Sequence, residues 1–187
     1  MRLVFYRGPG DRMTRIIRRL TFGPYSHVEL QFTNGHRFFS SGHGEYQGVH
    51  IVDDKKVYGP LWDSVVIPVT QQQEQSAEQC ASQLIGKPFD LKCMIEFVLP
   101  WRSCEKPAYC SAIILDVLQS GLHMFPGVNL KISPNGLYRK FISCHSTLVY
   151  SSVPDDSIEY KESQVLGALY RLGSTASVPS AVGSREK

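Results

Sequence analysis

The chain has 187 residues, of which 42% are hydrophobic and 20% charged, and its formal net charge is +3. These proportions suit a folded globular protein of about one domain and exclude a disordered chain. The charge is too small to predict nucleic-acid binding by itself, and no apolar run approaches the ~18 residues of a membrane span.

"RLVFYRG" reads as a short strand ended by Gly-Pro-Gly. "DRMTRIIRRLTFG" reads as a helix, with Asp11 as N-cap and Met13, Ile16, Ile17 and Leu20 on one face. Gly23 and Pro24 stop it. Arg12, Arg15, Arg18 and Arg19 lie near one face of this helix. That face is either a solvated surface or a contact for phosphate or anionic lipid. "YSHVELQFTNGHRFFSSG" reads as a hairpin turning at Asn34-Gly35, with strands over about 26–33 and 36–41. "GVHIVDD" and "SVVIPVT" are two more strands. "QQQEQSAEQCASQLIG" is an amphipathic helix ended by Gly86, and "DLKCMIEFVL" a largely buried helix before Pro100. "YCSAIILDVLQSG" is an apolar helix closed by Gly121. "SPNGLYRKFIS" is a short helix with Ser133 as N-cap and Pro134 at its first position. "STLVYSS" is a last strand. Strands first, then helices, then a strand predict an α+β fold around an antiparallel sheet.

The composition changes at Val153. Residues 1–152 are read as the domain and 153–187 as an extension, partly helical and ending in a small, polar, mobile tail. The N-terminal residues lack the apolar core of a signal peptide, so a cytoplasmic protein is expected. The five cysteines are odd in number and contain no Cys-x-x-Cys pair. This argues against a disulfide framework and against a structural zinc site. A metal site built from Cys104, Cys110 and His27 is the weakest of the functional readings.

Cys110 precedes the apolar stripe of its helix, which Ile113, Ile114, Val117 and Leu118 supply. It sits at the first turn, after Pro107, where N–H groups are unpaired and the helix dipole is positive. Both favour a thiolate nucleophile, and the same N–H groups can hold an oxyanion. A small packed thiol is the plainer alternative. A thiolate nucleophile calls for a base, usually histidine. Among six histidines, His27 stands out at the start of "SHVELQF". Pairing across a two-residue turn sets Thr33 opposite His36, Gln31 opposite Phe38, Glu29 opposite Ser40 and His27 opposite Gly42. His27, Glu29, Gln31, His36 and Ser40 then share one face, and Val28, Leu30, Phe32 and Phe39 share the other, core face. Glu29 and Ser40 become the candidates to orient the imidazole.

"YSHVEL", followed about sixty residues later by "GKPFD" and about eighty residues later by "YCSAIILDVL", resembles the circularly permuted papain-like hydrolases. These are the NlpC-type group that includes the YiiX-type proteins and the lecithin:retinol acyltransferase relatives. The resemblance spans roughly residues 1–150 and is nearest to small YiiX-type members, bacteriophage-encoded ones among them. It implies His27 as base, Cys110 as nucleophile and an antiparallel sheet packed against the cysteine helix. The group's third polar residue lies on the strand after the histidine strand. That strand here reads "HRFFSSG", without an acid or amide at its centre, so Ser40 and Glu29 share the role. Asp90 is read first as an N-cap. Ser111 and Tyr109 are expected to flank the oxyanion and substrate site, together with Gln31.

The expected activity is that of a cysteine hydrolase or acyltransferase acting on a peptide or acyl-lipid substrate, with no metal or organic cofactor. The competing expectation is a binding or virion-associated module on the same fold, because fold does not fix function.

Overall fold

The computed structural model describes residues 1–42, 44–53, 58–95, 107–144 and 149–151. The chain divides into Met1–Ser152 and Val153–Lys187. The predicted C-terminal extension lies outside the described residues, as do His43, Cys104 and His145.

In chain order the elements are β1 (Arg2–Tyr6), α1 (Arg12–Leu20), β2 (His27–Gln31), β3 (His36–Ser41), β4 (Gly48–Asp53), β5 (Trp62–Val66), α2 (Gln71–Ser82), α3 (Leu91–Ile95), α4 (Cys110–Leu122), α5 (Pro134–Cys144) and β6 (Val149–Ser151). The strands form one sheet in the order β4-β3-β2-β1-β5-β6. Every pairing is antiparallel. This is the expected α+β fold.

Caps set the helix starts. Asp11 accepts the Thr14 N–H at 2.8 Å at the head of α1. Thr70 and Gln73 form a reciprocal capping box on α2. Asp90 accepts the Cys93 N–H at 2.9 Å, which is the N-cap role read from the sequence. Ser133 accepts the Gly136 N–H at 3.0 Å ahead of Pro134.

The core lies on one face of the sheet. Leu3, Phe5, Val28, Leu30, Phe38 and Val65 face Ile113, Ile114, Val117 and Leu118 of α4, with Ala77 and Ala81 of α2 behind. Each such aliphatic side chain, fully buried, contributes about 1.5–3 kcal/mol. The apolar stripe predicted for α4 is therefore the one that packs.

Gly121 does not close α4. The helix runs on to Leu122, and His123 caps it in a left-handed conformation, φ 55°. Gly121 serves close approach instead: a Cβ there would stand 2.7 Å from the Ala77 Cα and 3.1 Å from its N. Backbone cannot yield as a flexible side chain can. Gly121→Val is expected to lower stability by about 1–3 kcal/mol or more, read as a fall in Tm. An unchanged Tm would mean that the α2–α4 contact is loose.

The hairpin differs from the expectation by one residue. Phe32 N–H donates to the His36 carbonyl at 2.9 Å, and the pairs are Leu30↔Phe38 and Gln31↔Arg37. The loop is three residues, Thr33 to Gly35, with Gly35 at φ 95°. A one-residue change of register moves every side chain of the strand to the other face. Arg37 and Phe39 thus join the Glu29 face. Phe38 and Ser40 join the core face, paired laterally with Ile51 and Val49. The expected placement of Ser40 beside His27 and Phe39 in the core is corrected accordingly.

A second correction concerns the cysteines. Cys80 and Cys110 are free, but Cys93 is disulfide-bonded.

Candidate active site

Cys110 is the first residue of α4, and His27 is the first residue of β2. The β2–β3 ladder runs through Gln31↔Arg37 and Leu30↔Phe38. Past that point, toward His27 on one strand and Ser40–Gly42 on the other, a cavity of about 800 Å³ is lined from both strands. His27, Glu29, Ser40 and Cys110 all contribute to its wall. A histidine off the core face and a cysteine that belongs to the core thereby meet at the end of the sheet.

His27 stands beside both Cys110 and Glu29 at the cavity wall. Its Nε2 lies 3.4 Å from Glu29 Oε1, and 26% of its side chain is open to solvent. The Trp62 ring stands edge-on to the imidazole, with centroids 6.2 Å apart. The imidazole is raised from its ordinary value to about 10. Burial is the largest single influence and pulls downward. The neighbouring Cys110 and Glu29 side chains together outweigh it. His27 therefore carries its proton across the physiological range.

Glu29 is buried, 5% exposed at its side chain, and is not left to repel its surroundings. Arg37 Nη1 donates to its Oε2 at 2.7 Å, and the Tyr58 hydroxyl donates to the same oxygen at 2.8 Å. Burial and the Glu29 charge push the Tyr58 phenol upward, so it stays protonated as a donor. The result is a chain Arg37/Tyr58–Glu29–His27–Cys110. Its last two links were expected; Arg37 and Tyr58 were not. The two-residue turn had placed Arg37 on the wrong face. Tyr58 sits between two strands, where no periodic pattern marks it.

The other predicted site residues fall elsewhere. Ser40 lines the cavity, but its hydroxyl donates to the Ala108 carbonyl at 2.9 Å. It ties the approach to α4 onto the sheet and does not orient the imidazole. Gln31 accepts from Arg2 Nε at 2.6 Å and is not part of the cavity wall. Tyr109 is fully buried among Cys93, Met94 and Ala112, and its hydroxyl donates to the Leu130 carbonyl at 3.2 Å. The Ser111 side chain is equally buried and donates to the Ile132 carbonyl at 2.6 Å. Tyr109 and Ser111 thus fix the entrance of α4 by packing and tethering. Ala112 and Ile113 N–H groups both reach the Tyr109 carbonyl, and the N–H groups of Cys110 and Ser111 precede those bonds.

The rest of the cavity is largely apolar. Met13 and Ile17 of α1, Leu91 and Met94 of α3, Phe89 and Trp62 form much of it. Among the described residues no group of three or more His, Cys, Asp or Glu is placed to hold a metal ion.

No protein-family model matches the sequence, and no curated protein matches it. Among solved structures the chain is similar to the metalloprotein YiiX from Escherichia coli O157:H7. The two are 17% identical with a TM-score of 0.47, over 81% of this chain and 87% of that one.

Proposed function

We propose that this chain is a thiol hydrolase or acyltransferase of the circularly permuted papain-like kind, acting through a Cys110 acyl-enzyme. One observation carries the reading: a buried cysteine, a histidine and a buried glutamate meet at the wall of a roomy cavity. Cys110 Sγ attacks the carbonyl carbon of an amide, ester or thioester. The new S–C bond forms as the carbonyl π pair moves onto oxygen. The N–H groups of Cys110 and Ser111 are the donors for that oxyanion. The His27 proton passes to the departing amine, alcohol or thiol as the C–X bond breaks. Water, or an acceptor amine, then attacks the thioester while His27 takes its proton, and the C–S bond breaks to release the acyl product and return the Cys110 thiolate. Glu29 keeps the imidazole oriented and favours its charged form before and after each transfer, and Arg37 and Tyr58 hold Glu29.

The order of the elements, histidine strand before cysteine helix, supports the permuted arrangement. Cys110 is only 5% exposed, which favours the competing reading of a binding module on the same fold. Incubation with p-nitrophenyl acyl esters separates the two. Catalysis gives p-nitrophenol release and an acyl mass on the Cys110 peptide, both lost in Cys110→Ala and slowed about 10²–10⁴-fold in His27→Ala. No acyl adduct on wild-type protein with any chain length would leave the binding module.

A further inference from the structure

We propose that the outer arc of α1, together with Phe22, docks this protein on an anionic lipid bilayer. The proposal stands apart from the chemistry at Cys110 and rests on how α1 is placed. None of its residues is buried, although it is strongly amphipathic. Its inner side, Met13, Thr14 and Ile17, lines the cavity. Its outer side faces away from the fold. Arg12, Ile16 and Leu20 are spaced four apart along one edge, and Arg15 and Arg19 run beside them. Ile16 is 48% and Leu20 43% exposed.

The four arginines noted in the sequence are not equivalent. Arg18 is used by the fold: its Nη2 donates to the Gly8 carbonyl at 2.5 Å and to Ser26 Oγ at 3.0 Å, and its guanidinium lies over the Tyr6 ring. Arg12, Arg15 and Arg19 are exposed and have no carboxylate partner among the described residues. Three unneutralised guanidinium groups beside an exposed aliphatic edge complement a surface that is anionic outside and apolar beneath.

Phe22 follows the C-terminal cap of α1. It is 87% exposed and adopts a left-handed backbone conformation, φ 50°. A bulky residue in that region is strained, and a side chain in water recovers none of that cost by packing. The turn is nevertheless held. Arg139 donates to the Thr21 and Phe22 carbonyls at 3.2 and 3.3 Å, and Asn135 donates to Thr21 Oγ1 at 2.6 Å. The fold thus projects an aromatic ring outward from a fixed turn at the end of a basic helix. An interfacial anchor needs that combination of a rigid mount and an exposed ring. Docked this way, the wall of the cavity formed by α1 would lie beside the bilayer.

The test is co-sedimentation of the full chain with phosphatidylcholine vesicles and with phosphatidylcholine–phosphatidylglycerol vesicles. Binding at least about tenfold tighter to the anionic vesicles is expected, weakened by added salt. Replacing Arg12, Arg15 and Arg19 together by Gln should lower that binding on the order of 100-fold, since each cation near the surface is worth about a factor of five. Phe22→Ser should lower it about tenfold with little effect on Tm. Lys140→Gln, on the exposed side of α5, should leave binding unchanged. Equal binding to neutral and anionic vesicles, or binding to neither, overturns the proposal. So does binding that depends on the three arginines but not on Phe22 and that RNA competes away; that outcome assigns the arc to a soluble polyanion.

Discussion

At about pH 6.5, iodoacetamide is expected to modify Cys110 faster than Cys80, by about tenfold or more, although Cys110 is the less accessible thiol. Cys80 is half-buried on α2 and serves as an internal control. Access alone predicts the opposite order, because Cys110 is 5% exposed. Only the proton held on His27 can reverse it. His27→Ala should erase the advantage and move the pH–rate profile toward that of an ordinary thiol. Cys110 and His27 share the proton, so the profile belongs to the pair. Mass spectrometry of the two peptides against pH reads the result. If Cys110 reacts more slowly than Cys80 in wild type at every pH, the nucleophile assignment is wrong.

The same imidazole fixes two further pH limits. Its folded value, about 10, lies above the ordinary 6.5 of the unfolded chain. The stability contributed by the protonated ring is therefore complete below pH about 6.5 and is lost as pH rises through about 10. The Tm difference between wild type and His27→Ala should shrink over that window. Turnover that needs His27 to protonate a leaving group should fail over the upper part of it.

Much of this site is written in short stretches of sequence. The place of Cys110 at the entrance of an apolar helix follows from where the stripe of Ile113, Ile114, Val117 and Leu118 begins. The pairing of His27 with Glu29 follows from strand alternation within β2 alone, so it survives any error in what β2 pairs with. What failed depended on counting across a turn. Asn34-Gly35 marks a turn, but the sequence does not say whether the loop holds two residues or three. One residue decides whether Ser40 or Arg37 faces Glu29. Gly121 failed for a related reason: a glycine near a helix end suits a cap or a close crossing, and only the position of Ala77 on α2 chooses between them. Tyr58 and Trp62 reach the site through tertiary folding, which leaves no periodic trace.

Arg37→Met is expected to be the most destabilising change near the site, by up to about 3–5 kcal/mol, because it takes the guanidinium from the buried Glu29 carboxylate and leaves the His27 imidazolium to face it. For a chain of this size that is a Tm fall of roughly 6–20 °C. Glu29→Gln alone takes the carboxylate from Arg37, whose side chain is 7% exposed, and should also destabilise the fold. The double variant Glu29→Gln/Arg37→Met removes both charges and keeps similar volume, so much of the loss should return. Reactivity should not return with it. The double variant lacks the carboxylate that helps hold the proton on His27, and Cys110 should alkylate more slowly than in wild type despite a near-normal Tm. A purely structural ion pair would recover both together. Independent losses that simply add in the double variant would show instead that Arg37 and Glu29 are not coupled, and would leave Tyr58 as the group that holds Glu29 against the imidazole.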